Sequence, residues 1–497
     1  MGLMRFLTPQ RGRVSDEAVQ HAYVAGLDCV PTACHKSWED NELLRLERQI
    51  NDSGNLHIPW QVDGHGELLL STASLMERER PYHLPLELAR GTVNRLRSRA
   101  DIWQMAGLKL TDELESQMAS AVSLFTHAAT SQDDALAAAT AAEEAVRVSL
   151  DAIVLLGEQY AQQVLEFRRE EASPLTTLLA GNMGDELMPT NAEPMFGAAF
   201  NSAVVPMTWR EMELVAGERQ WSLLDKQVQL CLRYGLRIIG GPLLRLDRDV
   251  LPDWVVGYAD DFEQLEACYR DHIWSTVDHF RGQVHLWHCA AGTNACGSLP
   301  LSDEQRLRLT VLAIETTRLA DPRTPLMVSV NQPWAEYMLD CETDLWPMHF
   351  ADMLVRADLG VAGLGLEMNL GYWPGGTLPR DMLEISDHVD QWSLLGLPLI
   401  LLLTMPSSDS EDPKAGGDAG RPLPSPQDGG LSGESQKLQV ERLMPMLLAK
   451  QSVQALVWNQ VFDSMRHKYA HAGVFDTGCM PKPSLSSLIS LRRSHLE

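Results

Sequence analysis

No stretch of this chain approaches the eighteen uncharged apolar residues that a membrane-spanning helix needs; the longest apolar run, residues 394–403, is the length of a strand. Basic residues are also scarce, with 41 Lys and Arg against 67 Asp and Glu and a formal net charge of -26. Such a chain repels phosphate backbones and anionic lipid surfaces unless it carries a local basic patch. The densest basic run, Arg95-Leu96-Arg97-Ser98-Arg99, is short and falls in an amphipathic helical pattern. Neither nucleic acid nor a membrane is therefore an expected partner. The N-terminal residues lack the apolar core and small-residue cleavage site of a secretory leader, which makes the expected setting cytoplasmic.

The eight cysteines are scattered, and neither Cys29/Cys34 nor Cys289/Cys296 has metal-ligand spacing, so free buried thiols are expected. His285 and His288 are three apart on a strand and point to opposite faces, so they cannot share one ion. Gly240-Gly241-Pro242 and Gly375-Gly376 are turns without the lysine of a phosphate loop. No metal and no cofactor is expected.

What the chain does contain is material for a large core, 45% hydrophobic residues over a length that suggests several domains. Residues 1–108 mix short apolar runs with turn signals, and Leu56–Trp60 and Glu67–Ser71 flank Asp63-Gly64-His65-Gly66 as a hairpin would. This reads as a β-rich domain, with a sandwich as one form it could take. Residues 109–174 are alanine-rich, and the pattern predicts helices near 112–128 and 133–170, with Ser131-Gln132-Asp133-Asp134 as the capping signal of the second. A helical hairpin linking two domains follows.

From 175 to 497 the pattern alternates. Apolar runs at 178–182, 202–206, 237–244, 284–290, 326–331, 363–367, 397–403 and 455–463 are separated by helical segments. Continuous apolar runs suit strands buried on both faces, and eight such units predict a (β/α)8 barrel. Residues 407–436 are rich in Ser, Asp, Gly and Pro and are expected to form a flexible insertion, either a lid or a tether.

An ordered series of segments carries a resemblance. It runs from Phe200-Asn201-Ser202 with Trp209, Glu213 and Gly217, through Tyr234-Gly235-Leu236-Arg237-Ile238-Ile239-Gly240-Gly241 and Leu251-Pro252-Asp253-Trp254. It continues with Ala320-Asp321-Pro322, Gly363-Leu364-Gly365-Leu366, Gly396-Leu397-Pro398, Val457-Trp458, Gly473-Val474-Phe475-Asp476 and Pro481-Lys482-Pro483. In order and spacing this series resembles glycoside hydrolase family 10, from about 178 to 490. The resemblance implies a barrel that handles oligo- or polysaccharides, and it also exposes departures. Gly292 stands where the family's acid/base glutamate ends the fourth strand, and Leu403 where its nucleophile stands on the seventh. The family's sugar-binding Glu-Asn and Lys are missing after the second strand, and Gly241 replaces a third-strand histidine. Retaining hydrolysis needs two carboxyl groups about 5 Å apart, so the family's standard mechanism is not expected.

Polar and aromatic residues at strand ends are the remaining candidates. Glu367 could be a displaced acid or base, with an ion pair to Arg245 as the alternative. Asp463 could be catalytic or could cap a helix over 464–470, and His288 could be a general base or a hydrogen-bonded structural histidine. Asn331, Gln332, Trp334, Asn369, Trp373, Trp458 and Arg245 are the expected sugar-binding set, since rings stack on sugar faces and amides bond hydroxyls. Two readings follow: a diverged glycosidase with relocated acids, or a non-catalytic glycan-binding or scaffolding pseudoenzyme that could form a homo-oligomer through its N-terminal part.

Overall fold

A computed structural model describes residues 2–26, 28–40, 42–416, 421–423 and 430–497. The chain divides into two compact units, the first mainly residues 1–167 with 378–389, the second mainly 168–377, 390–423 and 431–497.

The first unit holds two four-stranded sheets. One orders His35–Asp40, Leu43–Arg48, Gly2–Leu7 and Tyr82–His83; the other orders Pro31–Thr32, Tyr23–Ala25, Asn55–Val62 and Gly66–Ser71. The last two strands pair antiparallel across the expected turn, Val62 opposite Gly66. Helices Leu84–Met105, Asp112–Thr130 and Ala135–Glu171 follow. The last is capped by Asp134, whose carboxylate accepts the Ala137 N–H at 3.0 Å, and not by Ser131, which instead closes the preceding helix. Residues 378–389 group with this unit, where Arg95 pairs with Asp381 and with Glu384.

The second unit is a closed parallel barrel. Its strands are, in order, Leu178–Asn182, Ser202–Val205, Arg237–Gly240, Leu286–Ala291, Leu326–Asn331, Gly363–Asn369, Leu399–Thr404 and Val453–Trp458, and the eighth pairs back onto the first. Alternate residues face the interior, where Ala180, Val204, Ile239, Met327, Ile400, Leu402, Ala455 and Val457 pack together. Outer helices begin where the sequence signals them. Ser302 and Gln305 form a reciprocal capping box for Asp303–Ala320, and the Asp261 side chain caps Phe262–Phe280. The chain is thus a (β/α)8 barrel preceded by a β-rich region and a helical hairpin. Among the described residues no helix is long and apolar enough to cross a membrane.

The expected insertion 407–436 is described in part. Its part 407–416 is folded, with Asp412 buried, Arg421–Pro422 pairs antiparallel with Tyr372–Trp373, and its last residues begin the helix Gly433–Ala449. Residues 417–420 and 424–429 of that stretch lie outside the described residues. The thiols are not all free: Cys296 and Cys341 are joined, because the loops after the fourth and fifth strands bring their Cα atoms to 6.5 Å. Of the six remaining cysteines only Cys231 and Cys289 are buried.

Candidate functional site

The C-terminal ends of the barrel strands surround a cavity of about 180 Å³. Asn182 closes the first strand beside it, Pro242 follows the third, His288 and Glu367 project from the fourth and sixth, and Asn459 follows the eighth. Trp209, Tyr269 and Tyr469 add rings to its wall.

One hydrogen-bonded chain crosses this mouth. His288 Nε2 lies 2.9 Å from Ser329 Oγ, and that hydroxyl donates to Glu367 Oε1 at 2.7 Å. Arg245 donates from Nη2 to Glu367 Oε2 at 3.2 Å and from Nε to Asp247 Oδ2 at 3.2 Å. Lys468 Nζ stands 3.5 Å from Asp247 Oδ1. Burial pushes the His288 pKa down to about 4; Glu367 opposes that shift and Arg245 adds to it. Burial works to raise the Asp247 carboxyl, but Lys468 and Arg245 outweigh it and hold it below the usual carboxylate range.

Asp185 differs. Burial raises its pKa against the Thr208 hydroxyl, which donates to it at 2.9 Å, and Glu211 adds to the rise. Asp185, Thr208 and Glu211 all line the cavity.

Of the sequence candidates, the cavity gathers Glu367, His288 and Arg245. Glu367 takes the ion-pair arrangement with Arg245, and His288 is a buried, hydrogen-bonded histidine. The others lie elsewhere. Asp463 caps no helix, because 464–470 is a series of turns; it is buried, receives the Gly473 N–H at 2.7 Å and pairs with Lys482. Asn331 exchanges backbone hydrogen bonds with the Asn294 side chain, and Gln332 donates to the Pro374 carbonyl. Trp458 is wholly buried, its indole N–H donating to Ala472 O at 3.1 Å. Asn369 is buried and accepts from the Thr404 hydroxyl, Trp334 is buried, and Trp373 sits half-buried in the short pairing with Arg421.

Neither Gly292 nor Leu403, which the resemblance sets at the places of the two glutamates, lines this cavity. Leu402 lines the cavity, so Leu403, one residue on, faces the opposite side of its strand. Gly292 adopts φ +66°, a left-handed conformation that a side chain such as glutamate strains to reach. Gly241, at φ +123°, places its missing Cβ against the His288 carbonyl, which explains why no histidine fits there.

Sequence reasoning missed Ser329, Asp185, Lys468 and Tyr469. Ser329 carried a signal, since it sits two residues beyond the inward-facing Met327 on one strand. The other three come from loops and have no periodicity to reveal them.

No protein-family model and no curated protein sequence matches the chain. Solved structures similar to it include xylanase 10B from Thermotoga maritima, at 17% identity, covering 66% of this chain and 98% of that one with a TM-score of 0.48. A GH10 structure from Paenibacillus barcinonensis has 18% identity, covers 64% and 95%, and scores 0.48. The intracellular xylanase TsXylA from Thermoanaerobacterium saccharolyticum has 17% identity, covers 63% and 95%, and scores 0.47. At these levels neither activity nor substrate passes from one chain to another; the barrel assignment rests on this chain's own strand pairing.

Proposed function

We propose that the barrel mouth binds carbohydrate and does not hydrolyse it by the two-carboxylate retaining route. The carrying observation is the state of Glu367, whose two oxygens are taken by the Ser329 hydroxyl and the Arg245 guanidinium. Both oxygens accept hydrogen bonds from the protein itself, whereas retaining hydrolysis needs one carboxyl free to attack and one free to protonate the leaving oxygen. Lys468 and Arg245 hold the Asp247 carboxyl below the usual carboxylate range. No Asp or Glu occurs between Asp278 and Asp303 or between Asp390 and Asp409, so no register of the fourth or seventh strand brings a carboxylate to the mouth. A wall of Trp209, Tyr269 and Tyr469 with Asn182, Asn459 and Gln460 supports sugar as the ligand. The cavity is smaller than the roughly 300–1,000 Å³ of drug-sized sites, which suits one or two sugar rings.

A second reading has one observation in its favour. Asp185, with its raised pKa, shares the cavity with Glu367, and two carboxyls at one mouth can divide the roles of acid and base. A glycan array and a xylan hydrolysis assay on wild type, E367Q and D185N separate the two. Binding without turnover, weakened by about 1–3 kcal/mol in E367Q, supports the proposal. Turnover lost by about a hundredfold or more in E367Q and D185N supports relocated acids instead.

A further inference from the structure

We propose that Ser410, His471 and Asp412 form a separate serine-based acyl-transfer site after the seventh and eighth strands, acting on unhindered esters of short carboxylic acids. None of the three lines the cavity at the mouth, so this inference stands apart from the carbohydrate reading.

The geometry begins with the backbone of His471. It has φ +53°, a left-handed conformation unusual for a residue with a side chain. Such a conformation persists only where the surroundings over-determine it. Here they do. The His471 N–H donates to Asp412 Oδ2 at 2.9 Å, while its carbonyl accepts from the Ser407 N–H at 3.1 Å, the Ser407 hydroxyl at 2.8 Å and Lys482 Nζ at 3.2 Å.

The imidazole held in this way has its Nε2 3.0 Å from Ser410 Oγ and its Nδ1 3.7 Å from Asp412 Oδ2. A nucleophile at hydrogen-bond distance from a base, with a carboxylate 3.7 Å from the base's far nitrogen, is close to the arrangement that activates a serine, and a shift of under about 1 Å completes it. The Asp412 carboxylate is wholly buried, and it also accepts the Lys414 N–H at 3.0 Å and His467 Nε2 at 2.9 Å. Burial works to raise its pKa, but the His471 and Lys414 N–H groups and His467 hold it below the usual range, so it stays charged opposite Nδ1. Nε2 also lies 3.0 Å from the Ser410 carbonyl, an acceptor for the proton once the ring is charged. Ser410 itself is exposed, which gives a small ester free approach.

In the first step Ser410 Oγ bonds to the ester carbonyl carbon while its proton passes to His471 Nε2. Collapse of the adduct breaks the ester C–O bond, and the alkoxide leaves as an alcohol with that proton. Water, deprotonated at Nε2, then attacks the acyl carbon; the acyl C–Oγ bond breaks, Nε2 returns the proton to Ser410 Oγ, and the carboxylic acid leaves. Ester and water give acid and alcohol, with no other reactant.

The test uses the full chain with p-nitrophenyl acetate and a fluorophosphonate probe, on wild type, S410A and H471N. Asparagine tolerates the left-handed conformation, so H471N removes the base while sparing the backbone. We expect one probe per chain on Ser410 by peptide mass mapping, no labelling of S410A at an unchanged melting temperature, and ester hydrolysis at least about a hundredfold slower in H471N. Absence of label on the wild type, label on another residue, or S410A hydrolysing at the wild-type rate overturns the proposal. A folded H471N that labels at the wild-type rate overturns it equally, and S410A carries the test alone if H471N does not fold.

Discussion

Arg245 and Glu367 lie 122 residues apart in sequence and meet at 3.2 Å in the barrel mouth. Arg245 reaches in from the loop beyond the third strand, and Glu367 projects from the sixth. Each has a second partner, Asp247 for the arginine and Ser329 for the glutamate, so the pair is the middle link of a polar chain that runs from Lys468 to His288.

Removing Glu367 leaves the Ser329 hydroxyl without its acceptor and Arg245 with Asp247 as its remaining carboxylate partner. E367A is expected to destabilise the barrel by about 3 kcal/mol, whereas the double replacement R245M/E367L recovers most of the loss. Urea unfolding followed by tryptophan fluorescence checks both. A double variant no more stable than E367A contradicts the assignment.

His272 is buried against Trp209, ring centroids 4.3 Å apart, and neither ring nitrogen has a hydrogen-bond partner among the described residues. Burial pushes its pKa down to about 3, with Arg219 adding to the shift. The folded state therefore holds it neutral while the unfolded chain takes up a proton below its ordinary value of 6.5. Stability is lost as pH falls below about 6.5, and His288, pushed down to about 4, shares the sign. H272F is expected to be as stable as wild type or more so at pH 7, and to lose less between pH 7 and pH 5. Unfolding midpoints at the two pH values decide it.

Cys296 and Cys341 close a loop with a sequence separation of 45. Thiol titration of denatured, unreduced protein should find six free groups, the six cysteines outside this pair. C341S is expected to lower stability by about 2–4 kcal/mol, read from thermal unfolding without reductant. Eight titratable thiols contradict the bond.

The barrel was legible because strands buried on both faces must be apolar throughout. The runs at 178–182 and 326–331 coincide with Leu178–Asn182 and Leu326–Asn331. The run expected over 237–244 stops at Gly240, since Gly241 turns to φ +123° and Pro242 lacks an N–H for the ladder. Position along a strand also disclosed Glu367 and its alternative partner Arg245. Direction was harder to read. Leu403 differs from Leu402 only by facing the other way, and Asn331 and Asn294 satisfy each other where sugar hydroxyls were expected to do so. Lys468, Tyr469 and Asp185 reach the cavity from loops, whose course depends on tertiary contacts that no local pattern encodes.

The most direct measurement is calorimetric titration of the intact protein with a xylo-oligosaccharide, followed by chromatography of the recovered sugar. Saturable binding that weakens in E367Q, with the oligosaccharide recovered whole, is the result this account predicts. Shortened products that disappear when Glu367 is replaced, or no binding at any sugar concentration, contradict it.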